Sequence, residues 1–107
     1  MIYLACPYSS KDPAIVAYRV KRASEYVASK LEEREVLISP VVYGHNIVQE
    51  TSLRSDWDFW SVFCIDILRR CEKLYVLMLE GWEESEGVKG EIELARKLNI
   101  QIVYVSI

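Results

Sequence analysis

The chain has 107 residues, room for one domain (residues 1–107) and not for two. A composition that is 51% apolar and 27% charged excludes a disordered chain, a collagen and a disulfide-knit miniprotein. Thirteen basic against sixteen acidic residues give a net charge of −3, without the basic excess that displaces counterions from a nucleic-acid polymer.

Residues 2–6 read as a short buried strand stopped by Pro7. The N-terminal stretch has no basic region and is too short for a signal peptide or a membrane span. Tyr8, Ser9, Ser10 and Lys11 form a polar loop. Asp12-Pro13 then marks a helix start, an N-cap acceptor followed by proline at the first helical position. Val16, Val20, Ala23, Val27 and Leu31 recur at helical spacing up to the polar Glu32-Glu33-Arg34 run. Residues 36–39 predict a second strand, stopped by Pro40. Residues 41–52 then read as a long connection holding Gly44, His45 and Asn46, with at most a short helical turn. A second helix starts at Ser55 or Asp56 and runs to about Cys71. Residues 74–79 are a continuous apolar run of strand length, 81–87 are rich in turn formers, and Val88, Ile92, Ala95 and Leu98 mark a third helix. Residues 100–105 read as a last strand.

This β-α-β-α-β-α-β order predicts an α/β fold. The expectation is a three-layer Rossmann-like (flavodoxin-like) parallel sheet of four strands in the order 2-1-3-4, with helices on both faces. Ligands in such sheets bind beyond the carboxyl ends of the strands, where the winding direction switches. That point lies between the first and third strands, so loops 6–11 and 80–87 should meet there. Six of the sixteen acids fall between Glu80 and Glu93.

Backbone N–H groups near Ser85 and Gly87 open the third helix and suit a small anion, with Ser9 and Ser10 as hydroxyl donors opposite. By local sequence alone Ser85 reads first as a helix cap. Glu91 is placed in the first helical turn, where the positive helix end should keep its carboxylate ionised. An ionised carboxylate in a cleft can attack a sugar carbon; local sequence also allows a surface ion pair. Glu93 is turned about 160° away on the helix and serves as a control. Cys6, Cys64 and Cys71 show no Cys-x-x-Cys pair, and with His45 as the one histidine no zinc spacing can be assembled. Reduced, buried thiols in a cytoplasmic protein are the expectation.

Three segments resemble the nucleoside 2-deoxyribosyltransferase superfamily, in particular a short phage and bacterial branch. They are Tyr3-Leu4-Ala5-Cys6-Pro7-Tyr8-Ser9, then Asp56-Trp57-Asp58-Phe59-Trp60 with Leu68 and Cys71-Glu72, then 81–88 with Glu91 and Ala95. The resemblance implies a site for a nucleoside or nucleoside 5′-monophosphate. It implies that Glu91 attacks the anomeric carbon, that the base leaves, and that water or a second base resolves the glycosyl ester. It implies that Ser85 helps hold a 5′-phosphate, and that the loop from Pro7 to Ser10 lines the pocket, with Tyr8 at the sugar. Neither metal nor organic cofactor is implied. His45, beyond the second strand, is a further candidate substrate contact.

The chain departs from that pattern in two places. The aspartate expected eight residues before the acid preceding the third strand is Cys64 here. Asp66 is the nearest replacement and is carried as a candidate catalytic acid, although helix geometry turns it roughly 200° from Cys64. Asp56 and Asp58 are fallbacks. Without the acid, a nucleotide-binding or sensing module with weakened turnover is the alternative reading. The larger relatives also carry a C-terminal strand and tail that complete a neighbour's site, and here the sequence ends at Ile107. Phe59 and Phe63 widen the apolar arc of the Trp57/Trp60 stripe, so a homodimer or higher homo-oligomer through that helix is expected, unless the surplus packs on segment 41–52.

Overall fold

The computed structural model describes residues 1–106. Four parallel strands, β1 (Ile2–Ala5), β2 (Leu37–Ile38), β3 (Lys73–Leu77) and β4 (Gln101–Val105), form one sheet in the order β2-β1-β3-β4. Four helices accompany them: α1 (Pro13–Glu32), α2 (Pro40–Glu50), α3 (Trp57–Leu68) and α4 (Glu86–Lys97). β1 is central, with Tyr3 beside Leu74 of β3 and beside Ile38 of β2. The expected sheet and strand order are therefore those observed.

Side chains alternate along each strand, so β1 feeds two cores. Tyr3 and Ala5, with Leu74 and Val76 of β3, pack on Cys64 and Leu68 of α3 and on Val88 and Ala95 of α4. Leu4 and Cys6, with Leu77 of β3, pack on Ala23 of α1, and Val41 and Val42 of α2 join them. Both faces of the sheet are thus covered, and for that reason its strands read as unbroken apolar runs.

One element differs from expectation. Residues 41–52 are not mainly loop: α2 occupies Pro40–Glu50. Ser39 caps it, its Oγ accepting from the Val42 N–H at 3.2 Å, and Pro40 takes the first helical position. This is the signal already recognised in Asp12-Pro13, where the Asp12 side chain accepts from the Ala14 N–H. In Ser39-Pro40 the proline follows a strand directly, and a strand stop and a helix start coincide. The second strand shrinks to Leu37–Ile38, and α3 closes at Leu68 instead of Cys71.

α2 also accounts for part of the apolar surplus on α3. Phe63 stacks on Tyr43, with ring centroids 5.4 Å apart, and Trp60 lies against Gly44. Phe59, Val62 and Ile65 remain exposed on the outer side of α3. Among the described residues, no helix is long and apolar enough to cross a membrane.

Candidate functional site

The loops after β1 and β3 and the start of α2 enclose a cavity of about 660 Å³ at the carboxyl edge of the sheet. It sits at the predicted switch point, because β1→β2 runs one way across the sheet and β2→β3 returns over it. Its size suits a small organic ligand.

Glu91 forms part of the cavity wall and is only 8% exposed. Its Oε2 accepts a hydrogen bond from the Tyr3 hydroxyl. Burial pushes the Glu91 carboxyl up to about 8, opposed by the Tyr3 hydrogen bond. The expectation of a helix-stabilised carboxylate is therefore corrected. α4 begins at Glu86, so Glu91 lies in its second turn. The macrodipole fades within the first turn, and desolvation wins. Glu93 behaves as the control should: it is exposed and pairs with Lys97 at 3.6 Å.

Tyr3 was not among the candidates drawn from sequence. It is fully buried, and burial together with neighbouring Glu91 raises its hydroxyl well above the usual range. A tyrosine in an apolar strand needs a partner for its hydroxyl, and Glu91 is that partner. Cys64 lies beside Tyr3, and burial pushes its thiol up to about 12. Cys6 lies on the other core, with its thiol pushed to about 12 by burial and by Glu91. Both thiols line the cavity, and all three cysteines are free and buried.

A family description, a domain of unknown function termed DUF1937, matches residues 1–107. The chain belongs to that family. No curated protein matches it significantly.

The other candidates of this DUF1937 chain divide clearly. Tyr8, Ser9, Ser85 and Gly87 line the cavity. Ser85 is also the N-cap of α4, its Oγ accepting from the Val88 N–H at 3.2 Å, so the cap reading holds and the serine stands on the cavity wall as well. Gly87 and Gly90 leave room for Trp57: a Cβ on Gly90 would stand 2.9 Å from its ring. His45 lies outside the lining, behind Tyr8, its Nδ1 2.9 Å from the Tyr8 hydroxyl. Ser10 is corrected to a turn residue: it is exposed, and its Oγ accepts from the Asp12 N–H instead of facing the cavity.

Asp66 is corrected as well. Its side chain is 60% exposed, pairs with Arg70 at 3.4 Å and does not line the cavity, as the helix rotation from Cys64 requires. Asp66→Ala should leave ligand binding and any base release at wild-type level. Its stability should shift by no more than about 0.5 kcal/mol, since the pair is an exposed (i, i+4) one. Chemical denaturation and a turnover assay on the same preparation check this, and a large activity loss would return Asp66 to the site. Of the fallback acids, Asp56 lines the cavity and caps α3, and Arg54 holds its carboxyl below the usual range. Asp58 is exposed and stands outside.

Arg19 of α1 is a further residue that sequence reasoning missed. It lines the cavity and ties its two loops, donating from Nη1 to the Ser9 carbonyl at 2.8 Å and from Nη2 to the Glu80 carbonyl at 3.0 Å. Gly81 makes this approach possible. Its φ is +91°, and a Cβ there would lie 2.5 Å from Arg19 Nη2.

Proposed function

We propose that this DUF1937 domain is an N-glycosidase or deoxyribosyltransferase acting on a small nucleoside or nucleoside 5′-monophosphate. The observation that carries the reading is one buried carboxyl, Glu91, facing a cavity at the switch point and held by Tyr3. Glu91 attacks the anomeric carbon in its ionised form. The glycosyl ester that results is opened by water or by a second base. Ser9 and Ser85 anchor the polar groups of the ligand, and Tyr8 flanks the sugar. A carboxyl raised to about 8 supplies more nucleophile as the solution turns alkaline, so base release should climb with pH through that region.

A second reading, a nucleotide-binding module without turnover, is favoured by the acid inventory. Cys64 occupies the position of the expected aspartate with its thiol pushed to about 12, and Asp66 is outside the cavity. General acid help of typically 10²–10⁴-fold is therefore missing from those two positions.

Incubation with a panel of ribo- and deoxynucleosides and their 5′-monophosphates, followed by chromatography for free base, separates the two. Release by the wild type that disappears in Glu91→Ala supports the enzyme. Saturable binding without release, even at high protein concentration, supports the module. Release that survives Glu91→Ala removes Glu91 from the mechanism.

A further inference from the structure

We infer that the cavity selects N-glycosides whose base carries a positive charge, of the pyridinium or N-alkylpurinium class, over neutral nucleosides. The inference rests on the glycosidase reading and names the substrate class for it. It starts from the charge of the wall. Asp56, Glu80, Glu84 and Glu86 line the cavity against a single cation, Arg19. Asp56 is matched by Arg54. The three glutamates have no ion-pair partner among the described residues, whereas the Arg19 guanidinium is turned onto the backbone carbonyls of Tyr8, Ser9 and Glu80. The excess around the ligand is therefore negative, and it favours a cation over a neutral molecule.

Aromatic surface points the same way. Trp57 and Trp60 both line the cavity, Trp57 seated against Gly87 and Gly90 and Trp60 against Gly44, which let the indoles approach the backbone. Tryptophan faces attract cations more strongly than other aromatic rings do.

The leaving group gives the third argument. The base of a neutral nucleoside departs well only if a proton reaches it. The groups beside Glu91 keep their protons: burial pushes Cys6 and Cys64 up to about 12 and raises Tyr3 beyond its usual range. A cationic base needs no proton. Glu91 first loses its own proton to bulk water as the cation binds beside it. Its carboxylate oxygen then bonds to the anomeric carbon while the carbon–nitrogen bond breaks. That bond's electron pair stays on the ring nitrogen, which becomes neutral. Water opens the ester at the same carbon, and Glu91 regains a proton. In sum, cationic nucleoside and water give free sugar, neutral base and one proton. The missing acid at position 64 is thus compatible with turnover.

Nicotinamide riboside and its neutral dihydro form share nearly the same shape and differ in charge. Each is titrated against the full chain by calorimetry in two buffers of different ionisation enthalpy, and the mixtures are assayed for free base. The cation should bind at least about tenfold more tightly and release protons on binding. The preference should shrink with added salt and in the triple variant Glu80→Gln, Glu84→Gln, Glu86→Gln, which keeps side-chain bulk and removes charge. Equal or tighter binding of the neutral form overturns the inference, and base release from ordinary deoxynucleosides would then leave the glycosidase reading standing. Preferential cation binding with no base released from any nucleoside upholds the selectivity and sinks the glycosidase reading. Binding of neither ligand overturns the inference.

Discussion

Glu91→Gln should abolish base release and, at alkaline pH, make the protein more stable than the wild type. Loss of the proposed attacking carboxylate costs on the order of 10³-fold or more, as removal of a nucleophile does elsewhere. The stability effect follows from linkage. The Glu91 carboxyl ionises near 4.5 in the unfolded chain and near about 8 in the fold. Below 4.5 both states hold the proton and burial carries no ionisation cost. As pH rises from 4.5 to about 8, the unfolded chain ionises while the native state resists, so stability falls. Above about 8 the loss is complete. At 1.36 kcal/mol per pKa unit its upper bound is about 5 kcal/mol. Glutamine keeps an oxygen for the Tyr3 hydroxyl and never ionises. Thermal melts at pH 5 and pH 9 should therefore give similar midpoints for the two proteins at the lower pH. At the higher pH the variant should melt several degrees above the wild type. An identical offset at both values would show that Glu91 is not desolvated as described.

The sheet was legible because its two physical signals agree. Apolar runs without polar alternation mark strands covered on both faces, and the intervening helical periodicities separate them. α2 escaped because Ser39-Pro40 serves two elements at once. A proline after a strand stops the ladder, and the same proline after a serine opens a helix capped at Val42. Read as a helix start, it would have placed Gly44 and Val48 one turn apart on the cavity wall, where both are found.

The site was legible in outline, since topology alone brings the loops after β1 and β3 together. Its electrostatics were not. A helix start misplaced by two residues moved Glu91 from the second turn into the first, where the dipole would have governed its charge. Cys64 and Asp66 follow the opposite case: rotation around α3 already separated them, and the fold keeps Cys64 inside and Asp66 with Arg70 outside. Arg19 left little trace in sequence, because its role depends on backbone carbonyls of two distant loops, 10 and 61 residues away. Tyr3 did leave one, in the single phenol of an otherwise apolar buried strand, whose hydroxyl had to find an acceptor.

Tyr3→Phe tests that pairing with a readout that packing alone would not move. The ring stays, fully buried among Ala5, Leu74 and Cys64, so the core keeps its volume. Only the hydroxyl goes, and Glu91 Oε2 loses its donor inside the protein. An unsatisfied buried acceptor costs about 1–3 kcal/mol, to be seen as a lower denaturation midpoint. The Tyr3 hydrogen bond lowers the Glu91 carboxyl against the larger effect of burial, so its removal lets that carboxyl climb further. The alkaline rise of base release should therefore move to higher pH, and the rate at pH 7 should fall by roughly 10–100-fold, the value of a hydrogen bond to a charged group. The rate at the new plateau should recover much of that loss, since ionised Glu91 remains available for the proposed attack. A uniform fall across the pH range, with no displacement of the profile, would reduce Tyr3 to a packing residue and leave Glu91 tuned by burial alone.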